Sequence, residues 1–65
     1  MPTLFIKINC VEYSTLYREL KIVFDPSSGR SGYRYHKFSN EESMAKVKDR
    51  ISNEFPDVEM LEERR

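Results

Sequence analysis

The sequence predicts a small two-layer α+β domain, in which an antiparallel three-stranded sheet packs on one helix in the C-terminal half. Three observations predict it: an alternating apolar stretch near the start of the chain, a turn-rich segment between β-branched and aromatic residues, and a capped amphipathic segment after residue 38. The 65 residues form a single domain, 1–65, with the element order β-β-β-α. A candidate fourth strand lies at 57–62.

Two alternating stretches predict the first two strands. In residues 3–11, every second side chain faces the same side of a strand, and on one side these are apolar. The predicted core residues there are Leu4, Ile6 and Ile8. Residues 16–24 alternate in the same way and direct a second apolar set inward, namely Leu16, Leu20, Ile22 and Phe24. Arg18 interrupts this second set, so we expect it at an edge of the sheet or beyond it.

The segment from Asp25 to Gly32 predicts a hairpin loop longer than two residues. Asp25 and Pro26 favour a turn, and Gly29 and Gly32 supply positive φ angles where the loop needs them. β-branched and aromatic residues lie on both sides of the segment, which is typical of paired strands.

The third strand follows the loop and ends at Phe38. Its side chains divide into Tyr33 and Tyr35 on one face and Arg34 and His36 on the other. Because a charge taken out of water needs a partner, we expect the tyrosines to face the core and the polar pair to face solvent.

A helix is predicted next, from a capping box in which Ser39 is the N-cap and Glu42 reaches back. Its apolar stripe recurs at helical spacing and consists of Met44, Val47, Ile51 and Phe55. Pro56 ends the helix. Alternation of Val58 and Met60 with acidic residues then predicts the short fourth strand, with a second short helix as the alternative.

The composition predicts a soluble cytoplasmic protein without a metal or cofactor. The formal net charge is zero, with six basic and three acidic residues in 1–38 and five basic and eight acidic residues in 39–65. No apolar run approaches the roughly 18 residues that span a membrane, and the first residues show no signal-peptide pattern. Cys10 alternates with core residues and is expected to be buried. One Cys and one His do not make a metal site.

The face of the sheet opposite the helix is the predicted binding surface. Its expected residues are Phe5, Lys7, Asn9, Tyr17, Lys21, Arg34 and His36, with Arg30 in the adjacent loop. A mixture of basic and aromatic side chains suits phosphate contact with base stacking, and it also suits a protein hot spot. An ordinary solvated sheet face is the alternative.

The segment Lys21 to Ile51 combines a strand, an Asp-Pro turn, a second strand and a capped helix. It resembles the second half of AP2-type DNA-binding domains and is similar in outline to the arm-binding domains of phage integrases. The resemblance implies a three-stranded sheet that binds DNA and is backed by a helix.

We expect a non-enzymatic binding module, because no residue spacing assigns His36, the only histidine, a catalytic partner. The favoured function is a protein-interaction regulator or inhibitor, of the kind that phages and mobile elements encode as accessory proteins. The alternative is a DNA- or RNA-binding module that uses the sheet face. A homodimer through the open face or an edge strand is compatible with either function, because the monomer core is small.

Overall fold

The computed structural model of the chain describes residues 1–27 and 29–64. The side chain of Cys10, which was expected in the core, lies outside the described part. Four strands and two helices follow one another as β1 (Pro2–Lys7), α1 (Tyr13–Leu20), β2 (Asp25–Pro26), β3 (Tyr33–Lys37), α2 (Glu41–Glu54) and β4 (Met60–Arg64). The predicted α+β class, with an antiparallel sheet and a helix in the C-terminal half, is confirmed.

The four strands form one antiparallel sheet in the order β2-β3-β1-β4. β1 and β3 are therefore the central strands, and they pair from Thr3 opposite Lys37 to Lys7 opposite Tyr33. β1 also pairs with β4 along its whole length, from Pro2 opposite Arg64 to Ile6 opposite Met60. The predicted fourth strand is confirmed, but it lies at Met60–Arg64 instead of 57–62.

One side of the sheet is covered by both helices. Leu4 and Ile6 of β1 have no exposed surface there, and they join buried residues from the rest of the chain, namely Leu16, Phe24, Phe38, Met44 and Ile51. Val47 and Phe55 pack against this cluster, so the predicted helical stripe of α2 is confirmed. Within residues 1–27 and 29–64, the opposite side of the sheet carries no helix.

The predicted second strand at 16–24 is wrong, because Tyr13–Leu20 forms the helix α1. Leu16 and Leu20 are four positions apart, a spacing that fits one face of a strand and one face of a helix equally well. The Tyr13 hydroxyl donates hydrogen bonds to the carbonyls of Ile6 (3.2 Å) and Lys7 (3.1 Å), which holds the start of α1 against the end of β1.

Two element boundaries also differ from the prediction. β1 ends at Lys7, and a 3₁₀ turn at Ile8–Cys10 leaves Ile8 38% exposed instead of in the core. Asn40, not Ser39, is the N-cap of α2, since its side chain accepts a hydrogen bond from the Ser43 amide at 2.8 Å.

The hairpin between β2 and β3 is confirmed, although Asp25 and Pro26 form the short strand instead of the turn. Gly32 adopts the positive φ angle that its position in the loop predicts, 85°. Gly29 does not adopt one.

Candidate binding site on the open sheet face

The open face is the side of the sheet opposite α1 and α2. Residues paired across antiparallel strands share a face. The pairs Thr3–Lys37, Phe5–Tyr35 and Lys7–Tyr33 therefore lie together, and Phe5 also pairs with Leu61. We define the open face by these residues, by Glu63 of β4, which pairs with Thr3, and by Asp25 of β2, which pairs with Tyr35. Its residues are Thr3, Phe5, Lys7, Asp25, Tyr33, Tyr35, Lys37, Leu61 and Glu63.

Aromatic rings occupy the centre of the open face. The ring centroids of Phe5 and Tyr35 are 6.0 Å apart, with 34° between the ring planes. Both residues lie on the central strands, so hydrogen bonding within the sheet fixes their backbones. Leu61 extends the apolar surface on the other side of Phe5 and is 38% exposed. The centre of the face is therefore a rigid, largely apolar platform.

Arg30 reaches from the loop between β2 and β3 onto this platform. Its guanidinium carbon lies 5.0 Å from the centroid of the Phe5 ring, in cation–π contact. The Arg30 Nη2 group also donates a hydrogen bond of 2.8 Å to Glu63 Oε2 on β4. Phe5, which lies between Tyr35 and Leu61 and beneath Arg30, is only 8% exposed.

Two adjoining grooves border the aromatic platform and share Thr3, Lys37 and Glu63. The groove next to the rings has a volume of about 200 Å³ and is lined by Thr3, Phe5, Ser27, Gly29, Tyr35, Lys37 and Glu63. Sites that enclose a small molecule typically measure about 300–1,000 Å³. The adjoining groove has a volume of about 410 Å³, so the two grooves together offer room for a ligand that continues along the face.

Charges on the open face are nearly balanced. Lys7 pairs with Glu59 at 3.3 Å, and Arg30 pairs with Glu63 at 2.8 Å. Lys37 is exposed and makes no ion pair within the described part of the chain. The face thus offers up to three cations to an anionic ligand, of which Lys37 is available without breaking an ion pair.

A second charged cluster ties β4 to α2 away from the open face. Lys48 donates a hydrogen bond to Glu62, and Arg64 contacts both Glu62 and Glu41 at 2.7 Å. The hydrogen bond from Lys48 lowers the pKa of Glu62 below its ordinary value of 4.5, with a further contribution from Arg64, although desolvation acts in the opposite direction. This cluster holds the edge strand β4 in place and leaves Glu63 directed at Arg30.

The predicted binding residues are distributed over three regions. Phe5 and Lys7 lie on the open face as expected, and Arg30 lies over it. Asn9 lies beyond the end of β1, exposed in the 3₁₀ turn. The expected open-face position of Tyr17 and Lys21 is wrong, because α1 and its C-cap belong to the helix layer.

The expected faces of β3 are reversed. His36 pairs with Leu4 and Arg34 pairs with Ile6, so both polar residues lie on the helix side. Arg34 finds partners there: its guanidinium carbon is 4.9 Å from the ring centroid of Tyr13, and it donates a hydrogen bond of 3.2 Å to the Phe24 carbonyl.

His36 is accommodated in a similar way. Its Nδ1 lies 3.0 Å from the Val23 carbonyl, and its ring packs edge-on against Phe38 with centroids 4.6 Å apart. The cost of burying the polar pair is therefore offset by aromatic and carbonyl partners, and the tyrosines take the open face.

Sequence reasoning missed three contributors to the site. Tyr33 and Tyr35 were expected in the core, and Glu63 was expected on a solvated acidic face. The pairing of Arg30 with Glu63 joins residues 33 positions apart, for which no local pattern in the sequence gives a signal.

No protein-family model, curated protein or solved structure matches this chain. The expected likeness to AP2 and integrase arm-binding domains also fails in topology, because α1 replaces the second strand and β4 completes a four-stranded sheet. Within residues 1–27 and 29–64, no group of three or more His, Cys, Asp or Glu residues is placed to hold a metal ion. Neither helix in that part of the chain is long and apolar enough to cross a membrane.

Proposed function

We propose that this protein is a non-enzymatic module that binds single-stranded nucleic acid, RNA in particular, on its open face. The observation that carries the proposal is the pair of rings, Phe5 and Tyr35, on the two central strands of a four-stranded sheet. RNA-recognition sheets stack two or three bases on aromatic residues of such strands. Stacking tolerates every base, because each base has a π face.

The sequence around β3 agrees in part with the pattern of RNA-recognition sheets. That pattern places a glycine before an aromatic residue, with further aromatic residues two and five positions after the first. Gly32, Tyr33, Tyr35 and Phe38 stand at these positions. The chain departs from the pattern at Ser31, Arg34 and His36, where a basic residue, a small residue and valine are usual.

The balanced charge supports single strands over duplexes as the ligand. Duplex binding without base contacts depends on many phosphate contacts, whereas the open face offers at most Lys7, Arg30 and Lys37. If all three contact phosphates of a single strand, the slope of log affinity against log salt is about −2. We therefore expect micromolar binding in which stacking carries much of the affinity.

The test is a fluorescence-anisotropy titration with a labelled single-stranded RNA of about ten nucleotides and with a duplex DNA, each at two salt concentrations. We expect Y35A to weaken RNA binding about 5- to 150-fold, from the ~1–3 kcal/mol that a stacked base contributes. Y17A is the matched control, because Tyr17 is a 55% exposed tyrosine on α1. Absence of binding at low salt, or equal binding by the two variants, would overturn the proposal.

A protein partner, the function that the sequence favoured, would use the same face, since tyrosine and arginine are typical of interaction hot spots. It remains a prediction, as do a regulatory or inhibitory role, a homodimer and a cytoplasmic location. An RNA titration without binding would make a protein partner the working hypothesis.

A further inference from the structure

Two hydrogen bonds made by its own backbone fix the position of Arg30. The Arg30 amide donates to Ser27 Oγ at 3.0 Å, and the Arg30 carbonyl accepts from the Tyr33 amide at 3.2 Å. The side chain then spans the face from β3 to β4, where it meets Glu63. Arg30 is therefore held by the hairpin at its backbone and by β4 at its guanidinium group.

The guanidinium group lies where a stacked base would lie. It lies over the Phe5 ring, 5.0 Å from its centroid. Phe5 is 8% exposed, and the neighbouring Tyr35 is half-buried. A planar base and a planar guanidinium group use the same ring face for stacking. Both cannot occupy Phe5 at once.

We propose that the Arg30–Glu63 ion pair is a closed state of the binding site, which the nucleic acid must open; the inference rests on the function proposed above. A base displaces Arg30 from Phe5, and the released guanidinium group exchanges the Glu63 carboxylate for a phosphate of the bound strand. Phosphate suits this exchange, since arginine can bind it through two parallel hydrogen bonds. Glu63 thus lowers affinity in the free protein by holding Arg30 in place.

The expected size of the effect follows from the exposure of the pair. The Arg30 and Glu63 side chains are 41% and 35% exposed, and ion pairs at such positions contribute little to stability. E63Q should therefore raise RNA affinity about two- to fivefold. R30A removes the obstacle on Phe5 and a phosphate contact together, so it serves only as the background in which Glu63 has no arginine to hold.

The experiment is a double-mutant cycle of the wild type, E63Q, R30A and the double variant, titrated with the single-stranded RNA at low salt. If Glu63 acts by holding Arg30, the gain from E63Q disappears in the R30A background. An equal gain in both backgrounds would overturn the inference, since Glu63 would then act only through its charge. E42Q is the charge control, because Glu42 is a 79% exposed glutamate on α2.

A second readout separates this inference from the proposed function. The Phe5 ring should shift the Arg30 side-chain proton resonances upfield in the wild-type NMR spectrum, and both E63Q and added RNA should reduce that shift. If none of the four proteins binds RNA, the proposed function fails and this inference fails with it. If they bind while the Arg30 resonances keep their shift in saturating RNA, the closed state fails alone.

Discussion

Arg34 and Lys37 lie on the same short strand but on opposite faces, and their alanine variants should therefore behave in opposite ways. Arg34 faces the helix layer, where it contacts the Tyr13 ring and the Phe24 carbonyl. Lys37 faces the grooves of the open face. R34A should lower stability with little effect on RNA affinity, and K37A should lower RNA affinity with little effect on stability.

The magnitude for R34A follows from three contributions. Loss of a hydrogen bond from a charged donor costs about 1.5–3 kcal/mol, and loss of the cation–π contact costs about 0.5–1 kcal/mol. Among the described residues the Arg34 Nε atom is buried without a hydrogen-bond partner, and removing it returns about 1–3 kcal/mol. Lost packing of the aliphatic stem adds to the cost, so we expect a net loss of about 1–2 kcal/mol. Chains of this length have a total stability of about 3–10 kcal/mol.

Urea denaturation followed by circular dichroism measures the change in stability. Fluorescence anisotropy with labelled RNA, under conditions in which the variants are folded, measures the change in RNA affinity. With a urea slope near 1 kcal/mol per molar, R34A should move the midpoint by about 1–2 M. K37A should stay within about 0.5 kcal/mol of the wild type. The reverse pattern, with K37A unstable and R34A defective in binding, would refute the observed register of β3.

Three further predictions concern the helix layer. N40A should cost about 1 kcal/mol through loss of the N-cap, whereas S39A should not; equal costs would contradict the cap assignment. I51V should cost about 0.5–1.5 kcal/mol in urea denaturation, because Ile51 has no exposed surface. K48M should raise the pKa of Glu62 toward 4.5, measured by NMR titration of its carboxyl carbon. Because the pKa of Glu62 is lowered in the folded protein, its ionised carboxylate stabilises the fold above pH 4.5, and this stabilisation is lost as the pH falls through the lowered pKa. K48M should make the free energy of unfolding depend less on pH in this range.

The sequence correctly predicted those elements whose apolar spacing fits only one type of secondary structure. The stripe of Met44, Val47 and Ile51 fits a helix alone, and the alternation of Leu4 and Ile6 fits a strand. Leu16 and Leu20 taken alone fit either element. Tyr13, Leu16 and Leu20 together have the same spacing as the stripe of α2, and this local helical signal was overlooked in favour of the alternation. The hydrogen bonds of Tyr13 to β1 then hold α1 in place.

The binding site was less predictable, because it depends on strand register. Reversing the faces of β3 exchanges Tyr35 with His36, and the stability of His36 beside Phe38 was not visible in the sequence. The Arg30–Glu63 pair required the position of β4 next to β1, which only the complete sheet provides.

The most direct test of the account is NMR mapping of a single-stranded RNA titration onto isotope-labelled protein. The account predicts that the largest shifts fall on β1, β3 and Arg30, with the exposed surfaces of α1 and α2 little changed. Shifts centred on the helices, or no shifts at millimolar RNA and low salt, would contradict the claim that the open face binds nucleic acid.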